Sequence, residues 1–140
     1  MSLLPTKNDL GFFEIRLESI GGLGANLAGK MLAEAGVLGL DLNGSNFSSY
    51  GSEKKGSPVK GYIRFCEPDV EIRDHSPIEE PHVIGVFHEA LYKMVDVVKG
   101  LRPNGIVLVN STRDFESVKN ELGIKSGKLA SIDALGIAVE

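Results

Sequence analysis

Residues 12–36 constrain the fold more than any other part of the chain. Phe13, Ile15 and Leu17 alternate with charged residues, which is typical of a β-strand with one apolar and one charged face, near a sheet edge or beneath a partner. A glycine-rich turn follows, and the apolar residues after it recur at helical spacing up to Gly36, where a left-handed cap is expected. The predicted apolar stripe of this helix comprises Ala25, Leu27, Ala28, Met31, Leu32 and Ala35. The segment therefore predicts a strand, a turn and a helix, and the helix start suits an anion or a neighbouring loop.

Composition limits the functional classes. The 140 residues carry a net charge of −4 without basic runs, which argues against nucleic-acid binding. Cys66 is the only cysteine, so the chain alone can form neither an internal disulfide nor an all-cysteine metal site. His75, His82 and His88 are too far apart in sequence to indicate a local metal site. No apolar run approaches the roughly 20 residues of a membrane span, and we expect a soluble cytoplasmic protein.

The remaining chain alternates between apolar strand patterns and helical patterns. Strands are predicted at 37–43, 62–66, 82–87, 106–109 and 128–132. Helices are predicted at 115–122, capped by Ser111 or Thr112, and at 134–140, capped by Asp133. A further helix is predicted from the apolar stripe Leu91, Met94, Val95 and Val98, and it should end at Gly100. Residues 44–61 contain four glycines and five serines, a composition that predicts a long loop, and long loops in compact domains are usually functional or disordered.

This order predicts an α/β fold. We expect a three-layer, Rossmann-like domain, with a mostly parallel sheet and helices on both faces. Residues 1–11 form an exposed lead-in, and residues 12–140 form the domain. The last helix is only two turns long where the sequence ends, so we expect the C-terminal part to be truncated. We expect four segments at the carboxyl edge of the sheet, the usual ligand site: the glycine turn, the loop after Asn43, His88–Glu89 and Asn110–Thr112.

Two motifs leave alternatives open. Gly21, Gly22 and Gly24 match a dinucleotide-binding fingerprint only in part, because Leu27 occupies its third glycine position and Asp41 would have to supply its acidic residue. A structural turn or a contact surface explains these glycines as well. The adjacent loop lysines Lys54 and Lys55 could meet phosphates or a carboxylate, or could simply be solvated.

Three segments together resemble a known family. They are 19–24 (SIGGLG) before a helix, 50–57 (YGSEKKGS) before a strand, and 133–138 (DALGIA) near the end. Their order and spacing resemble the gamma subunit or domain of the pyruvate and 2-oxoacid:ferredoxin oxidoreductases over residues 12–140. The combination is far more specific than any single segment.

The resemblance implies a multi-subunit enzyme that decarboxylates a 2-oxoacid and releases an acyl-CoA. Such a complex uses thiamine diphosphate, Mg and iron–sulfur clusters, which reside mainly on other chains, and this chain is expected to bind none of them alone and to hold no metal. The implied partners are the alpha, beta and ferredoxin-like delta subunits, ferredoxin and coenzyme A.

The resemblance also implies roles for particular residues, none of them catalytic. Gly21, Gly22 and Gly24 are the candidate cofactor-binding residues. The candidates for coenzyme A, substrate or subunit contact are Tyr50, Gly51, Glu53, Lys54, Lys55, Asn110 and Ser111. A stand-alone Rossmann-like nucleotide-binding domain and a non-catalytic interaction module remain the alternatives.

Overall fold

The computed structural model of the chain describes residues 3–21, 24–50, 56–124 and 127–139. The described strands form one six-stranded sheet in the order β2-β3-β1-β4-β5-β6. The strands are β1 (Phe13–Ile20), β2 (Asn43–Tyr50), β3 (Pro58–Cys66), β4 (Val83–Val86), β5 (Ile106–Asn110) and β6 (Lys128–Ile132). The α-helices are α1 (Ala25–Leu40), α2 (Phe115–Leu122) and α3 (Ala134–Val139), and a 3₁₀ helix covers Glu89–Lys93.

The sheet is mixed. Strands β1, β4, β5 and β6 pair in parallel, whereas β3 runs antiparallel to both β1 and β2. Because β1 and β2 are both antiparallel to β3, they run in the same direction, and α1 connects them across β3. The predicted α/β fold with a mostly parallel sheet is confirmed.

Helical segments cover both faces of the sheet. On one face α1 packs over β1 and β3, where Ile15, Leu17 and Phe65 belong to one buried apolar cluster. On the other face Ile84 and Val107 pack with Val118 of α2 in a second cluster. Each cluster removes apolar surface from water, which is the main stabilising contribution in such a domain.

The sequence prediction for β1 was wrong in one respect. The strand is not at an edge of the sheet, since it pairs with β3 on one side and β4 on the other. Its charged face is covered by the rest of the chain, since Glu14, Arg16 and Glu18 are buried.

The predicted boundary between α1 and the next strand was also wrong. The helix does not end at Gly36 but continues to Leu40, and residues 37–40 are helical rather than extended. It ends at Asp41, whose φ of 57° supplies the left-handed cap that had been expected at a glycine. Gly36 instead faces Phe65 of the sheet at close range.

The predicted loop at 44–61 is largely a β-hairpin. Residues 43–50 form β2, and β3 begins at Pro58 instead of Tyr62. The polar composition of β2 suits an edge strand, which has one neighbour, β3, among the described strands. The structure gives no description of residues 51–55.

The predicted helix with the stripe from Leu91 to Val98 was wrong as well. Only the 3₁₀ helix Glu89–Lys93 forms there, followed by turns. Arg16 fixes the end of this region, because its guanidinium donates to the carbonyl oxygens of Val97 at 3.3 Å and Lys99 at 2.6 Å. These bonds fix the backbone through a contact far away in sequence.

The other predicted elements agree closely with the structure. The strands β4 and β5 lie at the predicted sites, and α2 and β6 have the predicted bounds. Asp114 caps α2 by accepting from the backbone N–H of Ser117 at 3.0 Å, so the expectation that Ser111 or Thr112 is the cap was wrong. Asp133 accepts from the N–H of Gly136 at 2.8 Å at the start of α3, as predicted. None of the described helices is long and apolar enough to cross a membrane.

Candidate functional site at the carboxyl edge of β1

The glycine turn and the β2–β3 hairpin meet at one edge of the sheet. Strand β1 ends at Ile20, which lies opposite Pro58, and β2 ends at Tyr50, which lies opposite Val59. The N–H of Gly21 donates to the carbonyl oxygen of Ser57 at 2.9 Å. The two segments that carry the predicted site are therefore joined by a backbone hydrogen bond.

The start of α1 is attached to the same hairpin. Gly24 is the N-cap residue with a φ of 91°, a left-handed conformation that favours glycine, and it has no side chain to cap the helix. Two residues further, in the first turn of the helix, Asn26 Oδ1 accepts from the Ser48 hydroxyl on β2 at 2.6 Å. Hydrogen bonds thus join the β2–β3 hairpin to Gly21 and to the helix start.

Several candidate residues lie outside the part of the chain that the structure describes. Those residues are Gly22, Gly51, Glu53, Lys54 and Lys55. Tyr50 has a described backbone at the end of β2 but no described side chain. The described residues Gly21 and Ser57 lie at this edge of the sheet.

Asn110 and Ser111 reach the same edge but act as framework residues. The Asn110 amide donates to the carbonyl oxygen of Phe87 at 3.3 Å, and its oxygen accepts from the N–H of Ala134 at 3.0 Å. The Ser111 hydroxyl accepts from the N–H of Arg113 at 3.0 Å. These bonds join the ends of β4 and β5 to the start of α3. Strand β5 lies about 10 Å from β1, because it is two strand spacings away in the sheet.

His88 occupies the carboxyl end of β4, next to β1. Its Nε2 is buried and has no hydrogen-bond partner among the described residues. Burial lowers the pKa of His88, so the imidazole is neutral near pH 7. A neutral imidazole can donate one hydrogen bond and accept another, which makes His88 a candidate contact for a group approaching this edge.

Sequence reasoning missed a buried charge cluster beneath this edge. Glu18, whose side chain is 1% exposed, accepts from Lys60 Nζ at 2.7 and 2.8 Å. Arg16 Nε lies 2.8 Å from Glu18 Oε1, in an orientation that makes an ion pair but no aligned hydrogen bond. Burial and then the charge of Glu18 raise the pKa of the neighbouring Tyr62. The alternation of charges along β1 was the available signal, but it could not indicate that this face is buried.

A second ion pair lies at the opposite end of β1. Arg64 Nε donates to Glu14 Oε2 at 2.7 Å, and Asn8 donates to Glu14 Oε1 at 2.9 Å. The pair lines a cavity of about 540 Å³ together with Asp74 and Arg102. This cavity is far from the glycine turn, since Glu14 is the second residue of β1.

The described residues offer no site for a metal ion. No group of three or more His, Cys, Asp or Glu side chains converges within those parts of the chain. Cys66 is buried, its thiol donates to the carbonyl oxygen of Val70 at 3.2 Å, and burial raises its pKa. A thiol with a raised pKa is a poor nucleophile and a poor metal ligand.

The geometry also argues against a dinucleotide site of the common kind. Asp41, the acidic residue that such a site would need, lies at the end of α1. The helix has 16 residues, so Asp41 is about 24 Å from the glycine turn along the helix axis. A ribose whose pyrophosphate sits at Gly24 cannot reach it.

Comparisons with known proteins agree with this architecture. The sequence profile of the pyruvate ferredoxin/flavodoxin oxidoreductase family matches residues 14–140. The chain is 37% identical to pyruvate synthase subunit PorC of Thermotoga maritima over 129 residues, covering 92% of this chain and 65% of that protein. It is 41% identical to the pyruvate/ketoisovalerate oxidoreductases common subunit gamma of Thermococcus kodakarensis over 128 residues, covering 91% of this chain and 67% of that protein. The chain thus spans about two thirds of the length of these relatives.

A solved structure supports the same relationship. The crystal structure of pyruvate oxidoreductase subunit PORC from Thermotoga maritima matches with a TM-score of 0.77 and 36% identity, covering 92% of this chain and 66% of that one. The gamma subunit of a keto/oxoacid ferredoxin oxidoreductase from Geobacter sulfurreducens, at 18% identity and a TM-score of 0.58, shares the fold over 90% of this chain and 64% of its own. Because the profile match covers nearly the whole chain, this protein belongs to the pyruvate ferredoxin/flavodoxin oxidoreductase family.

Proposed function

We propose that this chain acts as the gamma subunit of a multi-subunit 2-oxoacid:ferredoxin oxidoreductase. The complex would oxidatively decarboxylate pyruvate or a related 2-oxoacid and form an acyl-CoA and CO₂. Family membership and the similarity to proteins named as PorC and gamma subunits support this assignment.

In this proposal other subunits hold the prosthetic groups. Thiamine diphosphate supplies the chemistry that cleaves the bond to the carboxylate, and iron–sulfur clusters carry electrons to ferredoxin. The single cysteine is buried and bonded to Val70, which fits a chain that relies on alpha, beta and ferredoxin-like delta subunits for these groups. The chain's own contribution is a shaped surface.

The observation that carries the proposal is the hydrogen bond from Gly21 to Ser57. It brings together the two segments, the glycine turn and the loop after β2, that most resemble the gamma family. We assign this joint edge to docking against the thiamine-bearing subunits and to the approach of coenzyme A. The backbone at Gly21, Gly22 and Gly24 would permit close contact, while Tyr50, Gly51 and Glu53 would shape the loop.

Lys54 and Lys55 are the proposed partners of the coenzyme A phosphates. Lysine ammonium groups bind phosphates as point charges. Asn110 and Ser111 would act indirectly, since their side chains hold the ends of β4, β5 and α3 in place beside this edge.

The test is coenzyme A kinetics in the assembled complex. The double variant Lys54→Ala/Lys55→Ala should raise the KM for coenzyme A severalfold while leaving the KM for the 2-oxoacid unchanged. Lys119→Ala, which removes an exposed lysine from α2, is the matched control and should change neither constant. Unchanged coenzyme A kinetics in the double variant would remove both lysines from the site.

A second experiment separates the proposal from the two alternatives. Calorimetry of the isolated chain with NAD, FAD and coenzyme A should detect no stoichiometric nucleotide complex, because the acidic residue of the fingerprint lies at the wrong end of α1. A stoichiometric NAD complex would favour a stand-alone nucleotide-binding domain. Failure to co-purify with any thiamine-dependent subunit would favour a non-catalytic interaction module.

A further inference from the structure

Helix α1 has an unusual distribution of side chains. The residues that it buries against the sheet are all small: Ala25, Gly29, Ala33 and Gly36. Three of its large apolar residues point away from the sheet, with Leu27 62% exposed, Met31 61% exposed and Leu38 82% exposed. An amphipathic helix normally turns its large apolar residues toward its own core. The reversal indicates that the outer face of α1 has a second role.

The exposed residues form a regular line on the helix. Leu27, Met31, Glu34 and Leu38, here called the outer stripe, are separated by four, three and four residues, which is the a/d spacing of a helix-packing seam. At 100° per residue the stripe lies opposite the buried small residues. Ala28 and Ala35 flank it on one side and leave room for another helix to approach closely.

The charges beside the outer stripe are self-complementary. Lys30 and Glu34 are both exposed, and neither forms an ion pair within the residues that the structure describes. An antiparallel pair of α1 helices related by a two-fold axis would place Leu27 against Leu38 of the second copy and Met31 against Glu34. Lys30 of each copy would then lie beside the Glu34 carboxylate of the other.

We propose that the outer stripe is a self-association surface whose occupant is α1 of a second copy of this chain, packed antiparallel. Two-fold, isologous contacts are the commonest form of protein self-association, and the spacing of the stripe and the charges beside it suit one. A single helix pair buries less than the roughly 1,200–2,000 Å² of a standard interface. The dimer is therefore weak and depends on protein concentration. This inference does not depend on the proposed enzymatic function.

Sedimentation velocity of the isolated chain over a wide concentration range tests the surface. The wild-type chain should show a reversible monomer–dimer equilibrium, and Leu38→Glu should abolish the dimer. Asn120→Glu, which adds a negative charge to an exposed position of α2, is the control and should leave the equilibrium unchanged. Circular dichroism should show equal helix content in all three proteins. A wild-type chain that stays monomeric at every concentration would overturn the proposal.

A charge-exchange experiment tests the antiparallel pairing. Lys30→Glu and Glu34→Lys should each weaken self-association at least tenfold, because each variant places like charges across the seam. A one-to-one mixture of the two variants should regain association as a mixed dimer, since every Glu then faces a Lys. A mixture that stays monomeric while the wild type dimerises would contradict this pairing. If this chain is monomeric and the outer stripe becomes buried only when another subunit binds, the proposal is wrong and the stripe is a contact surface for that subunit.

Discussion

Replacing Gly36 by alanine tests how closely α1 packs on the sheet. A Cβ at this position would lie 2.7 Å from Cζ of Phe65 and closer still to Cε1. Phe65 is only 5% exposed and belongs to the buried cluster between α1 and the sheet, so its ring has little room to move. Gly39, three residues later on the same helix, has no atom within 4 Å of the corresponding Cβ and is the matched control.

Both substitutions raise helix propensity, but only Gly36→Ala overpacks a buried ring. Glycine to alanine within a helix stabilises by up to about 1 kcal/mol, because alanine has the higher helix propensity. Overpacking of a buried ring costs about 1–3 kcal/mol. We therefore expect Gly39→Ala to stabilise the chain slightly and Gly36→Ala to destabilise it, with a difference of about 1–3 kcal/mol between the two variants.

Urea unfolding followed by circular dichroism measures this difference directly. Equal m-values would show that both variants unfold the same structure and that the shift in midpoint reports stability. If both variants were stabilised equally, α1 would not approach Phe65 as described. In that case the inverted arrangement of small and large residues on α1 would also lose its basis.

Three further predictions concern buried charges, pH and helix capping. Arg64→Met should destabilise the chain by about 3–5 kcal/mol in chemical unfolding because it leaves Glu14 buried without its partner, whereas adding Glu14→Leu should restore much of the loss. Burial, followed by the charge of Arg102, lowers the pKa of His82, whose Nδ1 accepts from the N–H of Glu14 at 3.0 Å. The unfolded chain then binds more protons than the folded chain, so the free energy of unfolding should have its full value above the unfolded pKa near 6.5 and fall as the pH drops below it. His82→Asn should reduce this dependence on pH in thermal unfolding at pH 5.5–7.5. An unchanged dependence would exclude His82 as its source. Asp114→Ala should cost about 1 kcal/mol by removing the cap of α2, and an unchanged thermal midpoint would show that the cap contributes nothing.

The parts of the fold that could be predicted from sequence are those with local signals. Strands β4 and β5 are short apolar runs between turn residues, and α2 combines helical spacing with a glycine at its end. For these elements the local pattern and the tertiary environment favour the same structure. Their positions along the chain were therefore predicted correctly.

The failures arose where distant contacts decide the local conformation. Gly36 was predicted to end the helix, but it lies within α1, where the absence of a side chain allows the ring of Phe65 from β3 to pack closely. The region after Leu91 has helical spacing but forms turns, and Arg16 of β1 binds the carbonyl oxygens of Val97 and Lys99 at its end. The strand β2 has a loop-like composition and becomes a strand by pairing with β3. None of these partners is visible in a local window of sequence.

The candidate site was predictable in part for the same reason. The resemblance identified the glycine turn and the loop after β2, which stay predictions, and of the described residues in these segments Gly21 and Ser57 are joined by a hydrogen bond. The ion pair between the buried Glu18 and the partly exposed Lys60 beneath that edge was not predicted, because alternating charges on a strand usually indicate a face exposed to solvent. Asn110 stays a predicted contact residue, and the sequence did not show that its amide also joins the end of β4 to α3.

Reconstitution measures the central claim most directly. The purified chain should neither oxidise pyruvate or another 2-oxoacid nor reduce ferredoxin when supplied with thiamine diphosphate, Mg and coenzyme A. Addition of the alpha, beta and delta subunits should produce coenzyme A-dependent 2-oxoacid oxidation, and omission of this chain from that mixture should abolish it. Turnover by the isolated chain, or full activity of the other subunits without it, would contradict the assignment as a gamma subunit.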